Sequence, residues 1–89
     1  MHITETINFE DRQSIAQLMG IAKKEIMHLH EGETFFLADL FRGYKWKRIP
    51  ANGRKMLGRY FLDFAEDAEG KKFVALLDIK ARRQTYVRK

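Results

Sequence analysis

Asn52, Lys55 and Arg59 are spaced three and four residues apart, which puts one amide and two cations on the same side of a helix. An amide matches the hydrogen-bonding edge of adenine, and cations match guanine or phosphate, so the chemistry on offer is recognition of a polyanion. Arg54, about 60° from Leu57 on the same wheel, can lay its stem along the edge of a core and reach either backbone or an acidic partner. Lys45, Lys47 and Arg48 surround Trp46 just upstream, and Lys80, Arg82 and Arg83 form a further cluster near the C-terminus. Cations of this kind bind phosphates without reading sequence. Lys71, Lys72, Arg88 and Lys89 add charge around them, as solubilising surface or as further phosphate contacts.

Covalent and metal chemistry find no comparable set. The 89 residues include no cysteine, which excludes thiolate catalysis, disulfides and Cys-based zinc modules. Gly53 and Gly58 have the spacing of a phosphate-binding loop, but Arg59 and Tyr60 stand where Lys and Ser or Thr are required. His28 and His30, two apart, point to different faces of a helix. Asp63, Glu66, Asp67 and Glu69 lack the spacing and glycine of a calcium loop. Ser14, the one serine, has no histidine near it in sequence. The expectation is a non-enzyme with no metal and no cofactor.

The distribution of charge says more than the net +5. Residues 1–39 carry −4, residues 40–62 carry seven basic side chains and no acid, residues 63–70 carry −4, and residues 71–89 carry +6. Two strongly positive blocks in one small chain form an electrostatic footprint for a polyanion. Hydrophobic residues make up 45% of the sequence, enough to build a core. The length suits a single domain over 1–89. No run approaches the roughly 20 apolar residues of a membrane span, and the N-terminus has no signal-peptide core, so a cytoplasmic protein without membrane contact is expected.

These side chains need elements to position them. Ile15, Leu18, Met19, Ala22, Ile26 and Leu29 recur at helical spacing, predicting a first helix from Asp11 to Leu29, capped by Asn8 or Asp11 and followed by Gly32. Thr34 to Phe36 read as a short strand, Leu37 to Arg42 as a short helix stopped by Gly43, and Gly43 to Ile49 as a turn held to the core by Tyr44 and Trp46. Pro50 suits the first turn of a third helix running to Glu66, with Leu57, Tyr60, Phe61, Phe64 and Ala68 as its apolar stripe. Gly58 interrupts that helix, and something must approach closely there, a neighbouring helix or a nucleic-acid backbone. Beyond Gly70 the period falls to two: Phe73, Ala75, Leu77 and Ile79 share a face, and Gln84 to Arg88 form a second strand. The connection from Lys80 to Arg83 has no Gly, Asn or Asp, which favours a loop longer than two residues.

Helix, short strand, two helices and a hairpin together predict an α+β fold of winged helix-turn-helix type, whose third helix enters a DNA groove while the hairpin touches flanking phosphates. Within this order, Gly32, Phe35, Asp39, Leu40, Phe41, Trp46, Arg54, Leu57, Gly58, Arg59 and Phe61 resemble the motif of a small uncharacterised winged-helix-like family of Gram-positive bacteria, their phages and mobile elements. The resemblance spans about a third of the chain. It implies a fold and a genomic setting more than an activity.

The leading expectation is therefore an accessory or regulatory protein that binds double-stranded DNA. An interaction module for an acidic protein partner and a single-stranded nucleic-acid binder remain as alternatives. The acidic first helix against the basic surface of a second copy would give a homodimer.

Overall fold

A computed structural model of the chain describes residues 15–89. Among these, helix α1 covers 15–26, strand β1 Thr34–Phe36, helix α2 Gly43–Arg48, helix α3 Ala51–Glu66, strand β2 Val74–Lys80 and strand β3 Arg83–Arg88, with 3-10 turns at Leu37–Leu40 and Gly70–Lys72. The architecture is α+β: three helices against a three-stranded antiparallel sheet of order β1-β3-β2, closed by a C-terminal hairpin.

Helix α1 buries Ile15, Ala22 and Ile26, as their spacing predicts. It ends three residues before Leu29, because the N–H groups of Met27, His28 and Leu29 turn to carbonyls three residues back. Arg88 Nε also donates to the Ile26 carbonyl at 2.8 Å, satisfying an orphan acceptor at the helix end. The proposed caps Asn8 and Asp11 lie outside the described residues. Gly32 adopts φ +91° and donates to the Arg88 carbonyl, reversing the chain into β1.

The short helix and the turn expected between β1 and Pro50 change places. Asp39 Oδ2 accepts the Phe36 N–H at 2.9 Å, and with Leu37 and Leu40 both buried three apart, the segment closes as a 3-10 turn ending at Leu40. Gly43, expected to stop a helix, begins α2. Trp46 is half-buried against Phe41, ring centroids 5.7 Å apart, whereas Tyr44 is exposed. Pro50 lies one residue before the first helical position of α3, with an extended ψ of 155°.

Leu57, Phe61 and Ala65 form the buried stripe of α3, with Phe64 beside it. Tyr60 and Ala68, expected on that stripe, are exposed. Phe61 meets Tyr86 of β3 edge-on at 4.9 Å and Phe35 of β1 at 6.4 Å, while Phe35 and Tyr86 stack at 5.6 Å. This aromatic trio fastens the helix to the two paired strands. Gly70 then turns the chain under the end of α3, where a Cβ would lie 1.8 Å from the Phe64 carbonyl oxygen. Only glycine fits there.

The inward face of β2 is opposite to the one the alternation suggests. Val74 is fully buried and Leu76 half-buried, but Leu77 and Ile79 are 46% and 70% exposed. Every position from Phe73 to Leu77 is apolar, so the period of two fits either register. A bulge between Leu76 and Ile79 then sets Leu77 and Asp78 together against Thr85 and shifts the pairing by one residue. Thr85 Oγ1 donates to the Asp78 carbonyl at 2.6 Å, and Gln84 Nε2 donates to the Leu77 carbonyl at 3.1 Å and to the Thr85 carbonyl at 2.9 Å.

The hairpin connection is a two-residue turn and not the longer loop expected. Lys80 pairs with Arg83 directly, leaving Ala81 and Arg82 at φ +50° and +64°. Two positive φ values are what the right-handed twist of the strands asks of so short a loop. Here neither residue is a glycine, at a cost of roughly 1 kcal/mol each.

Candidate functional site

Helix α3 and the hairpin border a groove of about 490 Å³ lined by Phe36, Leu37, Ala38, Trp46, Arg54, Lys55, Gly58, Leu62, Arg82, Arg83, Gln84 and Tyr86. Four of these are cations and none is a carboxylate. Arg54 and Lys55 come from the first turns of α3 and Arg82 and Arg83 from the hairpin tip, so the two basic blocks of the sequence meet across this space.

Each cation is held differently. Arg54 Nε donates to the Ile49 carbonyl at 2.9 Å, closing the corner between α2 and α3, and its guanidinium lies 5.9 Å from the Trp46 ring centroid. Arg83 lies over the Phe36 ring at 4.1 Å, an arrangement in which the ring quadrupole favours the cation. Lys55 is exposed on the helix and Arg82 is exposed at the turn. Two arginines thus stand on aromatic rings, while the other two cations reach freely into solvent.

The remaining candidates lie elsewhere. Asn52 and Arg48 line a separate, mostly apolar cleft between α1 and the start of α3, together with Ile15, Leu18, Ile21 and Met56. Arg48 also stacks over Tyr44 at 5.1 Å. Lys45 belongs to a separate depression, with Arg42, Glu25 and Asp39. Arg59, Lys47 and Lys80 are exposed but do not line the groove. Of Asn52, Lys55 and Arg59, only Lys55 lines the groove with the hairpin residues; Asn52 lines the cleft beside α1 and Arg59 lines neither.

Sequence reasoning missed the floor of the groove. Phe36, Leu62, Gln84 and Tyr86 form it with Trp46 and Gly58. Their positions follow from strand register, which carries no local signature. Gln84 brings no free amide N–H, since its nitrogen is engaged by backbone carbonyls. Tyr86 is 3% exposed, and its phenol is pushed up to about 12 by burial, with the Glu66 carboxylate acting in the same direction. The phenol is thus a neutral donor. Glu66, one turn beyond Leu62, marks the acidic end of the helix.

Gly58 had one signal of its own. It sits inside α3, where glycine costs about 1 kcal/mol relative to alanine. Among the described residues, no atom beyond its own helix backbone and chain neighbours comes within 4 Å of the position its Cβ would take. No neighbouring helix among the described residues fills that position, and that side opens into the groove.

Among the described residues, no three His, Asp or Glu side chains are grouped to hold a metal ion, and no helix is long and apolar enough to cross a membrane. No curated protein and no solved structure matches the chain. A domain family does: residues 21–88, which include every cation of the groove, match the domain of unknown function DUF1413, and the chain belongs to that family.

Proposed function

We propose that the protein binds nucleic acid, double-stranded DNA in the first instance, through the groove between α3 and the hairpin. The observation that carries this reading is the meeting of Arg54, Lys55, Arg82 and Arg83 around a space that, among the described residues, no carboxylate lines. Supporting it is the element order α1, β1, α2, α3, β2, β3 with sheet order β1-β3-β2, which fits a winged helix-turn-helix. In that arrangement Lys55 of α3, with the exposed Arg59 one turn on, faces a DNA groove while the hairpin tip lies on adjacent phosphates. An accessory or regulatory role belongs to the same reading, and the sequence resemblance implies a phage or mobile-element setting for it.

Fluorescence anisotropy with a mixed-sequence duplex tests it. If four phosphates are neutralised, affinity falls about a hundredfold as salt rises from roughly 50 to roughly 200 mM, because bound counterions are released on association. Alanine at Lys55 and Arg82 weakens binding, whereas alanine at Lys23 and Lys24 of α1 does not. Absence of binding at low salt, or equal losses from both pairs, refutes the proposal.

Phe36 and Trp46 line the groove, so single-stranded nucleic acid is a second reading, in which bases stack on these rings in place of Arg83 and Arg54. Competition between a duplex and one of its own strands separates the two. An acidic protein partner would be recovered from a lysate even after nuclease treatment.

A further inference from the structure

We propose that Gly58 is the point at which a phosphodiester backbone comes closest to the protein, and that the groove reads this backbone and not the edges of bases. The inference rests on the nucleic-acid reading and deepens it.

Two features lower the chain's own stability, and both border the same space. Gly58 weakens α3 relative to alanine, yet a Cβ there would meet no described atom within 4 Å. Gly53, one turn earlier, is different: a Cβ on it would press on Ile49 Cγ2 at 3.1 Å, so its absence has an internal reason. At the opposite wall, Ala81 and Arg82 are left-handed without being glycine, and that turn carries the Arg82 cation to the rim. An occupant that needs the space beside Gly58 and the charge at Arg82 accounts for both.

The polar groups available select the chemistry of that occupant. Base edges are read by amides and carboxylates as well as by arginine. Here the Gln84 amide nitrogen is engaged by backbone carbonyls, Asn52 lines another cleft, and among the described residues no carboxylate lines the groove. Cations remain. They suit phosphate oxygens repeated along a chain, and a helix surface without a Cβ lets a sugar-phosphate chain lie against the backbone.

Gly20, inside α1, is the internal control: a Cβ there also meets nothing within 4 Å among the described residues, but it lines no part of the groove. Gly58→Ala and Gly20→Ala are both expected to raise Tm by about 4–8 °C. Only Gly58→Ala is expected to lose DNA affinity, roughly tenfold, as a methyl group displaces the backbone. The loss should be equal on AT-rich and GC-rich duplexes. If Gly58→Ala binds like the wild type while Lys55→Ala and Arg82→Ala bind weakly, the groove reading stands and the close approach at Gly58 is wrong. A loss confined to one base composition overturns the backbone reading. Failure of the wild-type protein to bind any duplex at low salt overturns the underlying function and this inference with it.

Discussion

Tyr86 shows how one side chain couples the core to the groove. Its ring packs on Phe61 and Phe35, and its edge lines the space between α3 and the hairpin. Because burial raises the phenol to about 12 from an ordinary 10, the folded protein favours the neutral form more strongly than the unfolded chain does. That preference is fully present below pH 10 and is lost as pH rises from about 10 to about 12. Chemical denaturation across that window should show stability falling, and Tyr86→Phe should flatten the fall. An unchanged pH slope in the variant would mean that other groups drive the alkaline loss. Gly70 is a residue-scale constraint of another kind, since a methyl group there would meet the backbone of Phe64, which cannot yield as a flexible side chain can.

At the scale of elements, the hairpin is the part in which structure and charge compete. Its register is set by the bulge opposite Thr85, and its turn places Ala81 and Arg82 in left-handed conformations. Asn and Gly relieve such positions at little steric cost. Ala81→Asn should therefore raise Tm by a few degrees and leave DNA binding unchanged, because no charge is altered. Arg82→Gly should also raise Tm but weaken binding, because it removes the cation at the tip. A fall in Tm for both would show that the turn is not strained as its dihedral angles indicate. Helix α3 has the same divided character, with Leu57 and Phe61 buried, Gly58 open to the groove and Lys55 at its rim.

Across the whole molecule, Arg88 is the tie between the ends of the described chain. Its side chain donates to the Ile26 carbonyl at the end of α1 at 2.8 Å, to the Phe73 carbonyl at 3.3 Å and to the Lys89 carbonyl at 2.8 Å, and lies over the Phe73 ring at 5.6 Å. One guanidinium thus holds α1, the start of β2 and the last strand together. Hydrogen bonds from a charged group are worth about 1.5–3 kcal/mol, so Arg88→Ala should destabilise the fold by about that amount while leaving the DNA affinity of the folded protein unchanged. Lys71→Ala, an exposed cation of the same charge block, is the comparison. Equal and small losses in stability would remove the structural role assigned to Arg88.

Much was legible from local pattern. The spacing of Ile15, Ala22 and Ile26, the run from Ala51 to Glu66, the turn at Gly32 and the charge blocks depend on neighbours in sequence, and short-range periodicity carries that information. What the tertiary structure decided was which cations meet. Arg54 and Lys55 reach Arg82 and Arg83 because β3 lies between β1 and β2 and the bulge at Leu77 and Asp78 shifts the hairpin's register. An apolar run without alternation specifies neither that shift nor the inward face of β2. The exchange of helix and turn around Gly43 has a local cause, since the Asp39 side chain accepts the Phe36 N–H and starts a 3-10 turn that ends at Leu40. Sequence alone determined that positive charge is concentrated in two blocks; long-range pairing of strands, and its packing on Phe61, decided that the blocks share one groove.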